Sequence, residues 1–227
     1  MKIGILQTGH APDAILDVTG DYDLLFEKLL DGHGFTFQTW AVVDGVPVPR
    51  ADEADGWLIT GSRHGVYEDH PWIAPLEALI RDIKASGRPL IGVCFGHQII
   101  AQALGGTVEK FKGGWAVGRQ VYDYGGRQVA INAWHQDQIT KMPPEAKTLG
   151  GNAFAPHAIL GYGDTIWTCQ PHPEYGSDVI GGLLEHRAPG VVPQDLIETA
   201  TAELATPTDR LDVGAEMAEF FLKERVA

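Results

Sequence analysis

The sequence predicts an α/β fold: an open, mostly parallel twisted sheet with helices on both faces and an additional small antiparallel β section. Three observations lead there. Short apolar strands alternate with amphipathic helical stretches through the first half of the chain, the pattern of right-handed crossovers and a parallel sheet. "GWLI" and "LIGV" are apolar without interruption, as strands buried on both faces are. The middle of the chain then turns β-rich with frequent glycine turns.

Taken in order, Lys2 to Gln7 reads as a first strand. Tyr22 to Leu30 carries Leu24, Leu25, Leu29 and Leu30 at helical spacing. Phe35 to Val43 is aromatic and β-branched, hence a strand, and Gly56 to Ile59 is another, ending in the turn "TGSRHG". Pro71 to Ala85 reads as a helix with Pro71 in its first turn, an apolar face of Leu76, Leu79, Ile80 and Ile83, and Gly87 as its stop. Leu90 to Val93 is a buried strand, and Gln98 to Leu104 a helix closed by Gly105 and Gly106. From Thr107 to Trp167 the pattern is β-rich, with Gly125-Gly126 as a hairpin turn. Helices are expected at Asp178 to His186, Pro193 to Leu204 and Pro207 to Glu224. Without an internal repeat or long linker, residues 1–227 are expected to form one domain.

Bulk properties narrow the function. Lys and Arg total 17 against 30 Asp and Glu, a formal net charge of -13. Phosphate backbones and anionic bilayers need a basic surface, so neither nucleic acid nor a membrane is an expected partner. No apolar run approaches ~18 residues, and "MKIGILQTGH" turns polar too soon for a secretory leader. Two cysteines cannot build a disulfide framework, and a reducing cytoplasm is the expected location. No C-x-x-C or H-E-x-x-H spacing suggests a metal.

The chemistry concentrates in "GVCFG", Gly92 to Gly96, which follows a strand and opens a helix. That is the geometry of G-x-S-x-G with sulfur in place of oxygen. Such a turn pushes the side chain out at the carboxyl end of the sheet, where open α/β sheets bind ligands. A helix N-terminus there favours a thiolate and offers a backbone N–H to an oxyanion. A free cysteine is also among the residues most often simply buried. On these features alone the two readings of Cys94 stand level.

A second feature is "QPHPEY", Gln170 to Tyr175, just past the strand-like "DTIW". His172 and Glu174 offer an imidazole and a carboxylate two residues apart, stiffened by Pro173. A nucleophilic thiol needs a base, and that base needs an orienting partner. Cys94, His172 and Glu174 could fill the three roles.

Together "GVCFGHQ" and "QPHPEY" resemble the class I glutamine amidotransferases, a flavodoxin-like α/β family with a Cys-His-Glu triad. "WLITGSRHGVYED" resembles that family's oxyanion strand. The resemblance implies oxyanion donors at Gly61 and Phe95, and Gln98 and Trp115 (in "GGWAVG") beside bound glutamine. "AWHQDQI" resembles a histidine-acidic motif of free-standing domains similar to the amidotransferase domain of GMP synthetase. It adds His135 and Asp137 to the expected substrate-binding residues. One departure is Pro171, where members carry an aromatic or small residue. Cys169 reads as strand packing.

The resemblance implies an enzyme that cleaves the γ-glutamyl amide of glutamine through a thioester, with no metal or organic cofactor, releasing ammonia to water or to a separate synthetase subunit. After Tyr175 the remaining residues read as helices with no P-loop, so no second catalytic unit is expected. Three alternatives follow from the same residues: a γ-glutamyl peptidase acting on small peptides, a non-catalytic γ-glutamyl-binding module, and a more distant thiol-elbow hydrolase or isomerase.

Overall fold

The computed structural model describes residues 1–225, so Val226 and Ala227 of the expected 1–227 unit lie outside the described residues. The strands in chain order are β1 (Lys2–Gln7), β2 (Thr36–Ala41), β3 (Gly56–Ile59), β4 (Leu90–Val93), β5 (Thr107–Lys110), β6 (Ala116–Tyr124), β7 (Arg127–His135), β8 (Asp137–Lys141), β9 (Lys147–Gly151), β10 (Ile159–Tyr162) and β11 (Ile166–Cys169). The helices are α1 (Asp13–Thr19), α2 (Tyr22–Leu29), α3 (Ile73–Ser86), α4 (Phe95–Ala103), α5 (Ser177–His186), α6 (Gln194–Ala202) and α7 (Arg210–Leu222).

Among the described residues one nine-stranded sheet runs β2-β1-β3-β4-β11-β10-β9-β6-β7. From β2 to β11 the pairs are parallel, and from β11 to β7 they are antiparallel. Most of the expected antiparallel section therefore continues the main sheet, and β5 pairs with β8 as a separate ribbon. The Gly125-Gly126 hairpin is present: Tyr124 faces Arg127, and both glycines take positive φ, 60° and 81°. A two-residue turn of this hand matches the twist of its strands and excludes most side chains.

Side chains of the parallel strands alternate between two cores. Leu6, Trp57, Ile59 and Leu90 pack with α3 and α4 on one face. Ile3, Ile5, Leu58, Ile91 and Val93 pack with α2 and α7 on the other. A third cluster joins α1, α5 and α6 beside Trp134 and Tyr175.

Two expectations are corrected, and one helix was not expected. The α4 helix begins at Phe95, directly after the cysteine, and not at Gln98. Pro71 precedes the α3 helix, whose first turn holds Pro75 instead, where the missing N–H costs no hydrogen bond. The α1 helix was not anticipated; it buries only Ile15 and Thr19, too little to make a periodic signal.

Candidate active site

Residues from the ends of β3, β4 and β11 meet at one edge of the sheet because those strands are neighbours. Cys94 lies between β4 and α4 with φ 53° and ψ -103°, the sole non-glycine residue at positive φ among the described residues. A side chain held there costs of order 1–3 kcal/mol and persists only where the surroundings fix it. They do: Cys94 N–H donates to Cys169 O at 2.8 Å, Gly96 N–H to Thr60 O at 3.1 Å, and Gln98 N–H to Cys94 O at 3.1 Å. Both flanking glycines are required by space. A Cβ on Gly96 would sit 2.3 Å from Ile59 O, and one on Gly92 would sit 2.5 Å from Gly96 O.

The next layer is His172 and Glu174, 2% and 1% exposed. His172 Nδ1 lies 2.6 Å from Glu174 Oε1. Its Nε2 is buried with no regular hydrogen-bond partner among the described residues. Burial pushes the imidazole toward neutrality, but the Glu174 charge and then the Cys94 sulfur outweigh it and raise the pKa to about 10. The His172 ring stacks on Tyr175 at 4.0 Å and 4°, and Tyr175 in turn contacts Tyr22 at 6.0 Å. Despite Pro171, the backbone here is tied to β7: His172 N–H donates to Asn132 O at 2.8 Å, and Asn132 Nδ2 to Tyr175 O at 3.0 Å.

Gly61 follows β3 closely enough that a Cβ on it would lie 3.0 Å from His172 Cε1 and 3.7 Å from Cys94 Cβ. Thr8 fixes this strand end; its N–H donates to Thr60 Oγ1 at 3.0 Å, and its hydroxyl lies 2.9 Å from Thr60 O. The Gly61 and Phe95 N–H groups donate to no acceptor among the described residues. Phe95 is the first residue of α4, where an N–H has no partner in the helix. Two free N–H groups thus flank Cys94.

Cys94, His172, Gln98, Trp115, His135 and Asp137 line one cavity of about 370 Å³. Gln98 is buried rather than an exposed helix position, and its amide donates to Asp137 O at 3.0 Å and Gln170 Oε1 at 3.1 Å. What it can offer a ligand is its oxygen. His135 ends β7, with Nδ1 3.3 Å from Asp137 O and a buried Nε2 without a partner among the described residues. Burial, then the nearby His172, push its pKa down to about 3, so it is neutral. The Asp137 carboxylate accepts the Tyr67 hydroxyl at 2.8 Å.

Cys169 is fully buried, 3.2 Å from Pro171 O, and burial pushes its thiol well up, away from reactivity. The sequence reading missed Tyr22, Tyr175 and Asn132, and also Arg63, Lys110 and Arg187 on the cavity wall. Tyr175 stands inside "QPHPEY" and was within reach of that motif; the others come from separate elements and carry no local signal. Among the described residues, those three cations make no salt bridge with any acid.

The chain is similar to known proteins over much of its length. The family described as glutamine amidotransferase class-I matches residues 43–184. Gamma-glutamyl peptidase 4 of Arabidopsis thaliana is 29% identical over 202 residues, covering 82% of this chain and 80% of that protein. A GMP synthase (glutamine-hydrolyzing) of Clostridium acetobutylicum is 24% identical over 178 residues, 70% of this chain and 32% of that protein. The crystal structure of a glutamine amidotransferase from Methylobacillus flagellatus has the same fold, with a TM-score of 0.75 at 21% identity over 97% of this chain and 92% of that one.

Proposed function

The chain belongs to the glutamine amidotransferase class-I family, and from that premise we propose that it hydrolyses a γ-glutamyl amide through a thioester on Cys94. The observation that carries this reading is the buried Cys94–His172–Glu174 line, with His172 raised to about 10 beside a cysteine held on a strained backbone turn. The Cys94 sulfur attacks the side-chain carbonyl carbon while His172 holds the proton. The oxyanion is received by the N–H groups of Gly61 and Phe95, each such donor being worth ~3 kcal/mol of barrier. As the C–N bond breaks, His172 gives its proton to the leaving nitrogen. Water then attacks the thioester, returns a proton to His172 and releases glutamate. Glu174 keeps the imidazole oriented throughout and stabilises its protonated form before acyl transfer and again after water attack.

The leaving group is an amino acid or small amine, so the substrate is a γ-glutamyl peptide or conjugate in preference to glutamine. Sequence alone put glutamine first. Three unpaired cations around the cavity of a protein with net charge -13 support the reordering, because a γ-glutamyl peptide brings a second carboxylate. The likeness to gamma-glutamyl peptidase 4 over 80% of that protein supports it as well. Glutamine hydrolysis with ammonia passed to a synthetase subunit is the second reading, favoured by the likeness to GMP synthase. No helix among the described residues is long and apolar enough to cross a membrane.

Initial rates with glutamine, γ-glutamyl dipeptides and glutathione conjugates separate the two readings. The expected result is a higher kcat/KM for dipeptides. Arg187→Ala is expected to raise KM for a dipeptide about tenfold, the value of one charge-assisted hydrogen bond, and to raise it less for glutamine. Glutamine preferred over every peptide, with Arg187→Ala affecting both alike, would remove the peptidase reading.

A further inference from the structure

The loop after β3 brings together three side chains that the acyl transfer does not use. Donor atoms of His64, Glu68 and His70 all lie within 4.8 Å of one another. Glu68 Oε2 is 3.2 Å from His64 Nδ1 and 2.7 Å from His70 Nε2, and the two imidazole centroids are 4.2 Å apart.

Contacts outside the trio hold it in place. The second Glu68 oxygen accepts the Gly65 N–H at 2.9 Å. Val66 O accepts Gln102 Nε2 at 2.8 Å, and the Tyr67 hydroxyl is fixed on Asp137. The His70 ring stacks on Trp72 at 5.7 Å and 9°, and Trp72 is buried against Phe95. Ligands pre-positioned in this way lose little freedom when an ion binds.

Two imidazoles and a carboxylate suit a borderline divalent ion such as Zn²⁺ rather than Mg²⁺ or Ca²⁺. Zinc bonds of ~2.0–2.2 Å in a tetrahedron set ligands roughly 3.4 Å apart. The observed separations to Glu68 need only small shifts, with the ion taking the place of the two hydrogen bonds and each imidazole carrying its proton on its other ring nitrogen. His64 and Glu68 line the cavity that holds Cys94, whereas His70 does not, so the trio sits at the rim of that cavity. We propose that His64, Glu68 and His70 form a three-ligand site for a Zn²⁺-class divalent ion at the cavity rim, with its remaining position open. This site stands independently of the hydrolytic reading.

Co²⁺ titration followed by visible absorption tests it, in a Cys94→Ser background so that the cysteine–histidine pair supplies no competing thiolate. The expected result is one Co²⁺ per chain, displaced by Zn²⁺ and not by Mg²⁺, with affinity about 100-fold weaker after His70→Ala and after Glu68→Gln. Thermal melting without metal shows that each variant is folded; should His70→Ala unfold, His64→Gln takes its place. Absence of stoichiometric Co²⁺ binding, or equal binding in folded variants lacking a trio ligand, would overturn the proposal.

Discussion

Cys94→Ala lowers kcat for any γ-glutamyl substrate by about 10⁴-fold or more, the scale seen when the nucleophile of a triad is removed. The fold survives, because Cys94 is 6% exposed at the pocket floor and its backbone is held by Cys169 and Gln98 rather than by its sulfur. Relief of the side chain's strain at φ 53° is not expected, since alanine carries the same Cβ. The measurement is steady-state turnover beside circular dichroism and thermal melting. A folded alanine variant with more than a few per cent of wild-type activity would remove Cys94 from the chemistry.

Glu174→Gln produces the second largest change, in rate and in pH profile together. Glutamine retains an oxygen to accept from His172 Nδ1 but loses the charge. That charge is the largest influence raising the imidazole against its burial. In the wild type the protonated imidazole persists until pH approaches about 10, so kcat/KM stays flat through the neutral range and falls on that alkaline side. In Glu174→Gln burial is offset by the Cys94 sulfur without the Glu174 charge, His172 gives up its proton at lower pH, and the alkaline limb moves down. The rate falls by about 10²–10⁴-fold where the general acid is lost. An unchanged alkaline limb would mean that Glu174 does not set the state of His172.

Much of this was legible in the sequence for identifiable reasons. The β1, β3 and β4 strands were placed at their observed ends because apolar runs so short, closed by turns, admit only a buried strand. Cys94, His172 and Glu174 sit in local motifs whose spacing carries the chemistry. The start of α4 was misplaced because Phe95, Gly96 and His97 show no helical period: all are buried by the surrounding sheet and loops, not by one face. His97 spends its ring on Thr168 at 2.7 Å, and burial pushes its pKa down to about 3. The cations at Arg63, Lys110 and Arg187 lie on three separate segments and converge only through the tertiary fold. Likewise, His64, Glu68 and His70 match no familiar metal spacing, since an irregular loop rather than a helix sets their approach.

The most direct test of the central claim is the covalent state of Cys94 during turnover. Wild-type protein is mixed with a γ-glutamyl dipeptide, quenched in acid within the first turnovers and digested for mass spectrometry. The account predicts that the peptide containing Cys94 gains the mass of one γ-glutamyl group, labile to hydroxylamine, while the peptide containing Cys169 is unmodified. Full turnover with no adduct under any quench time, or an adduct on Cys169, would contradict it.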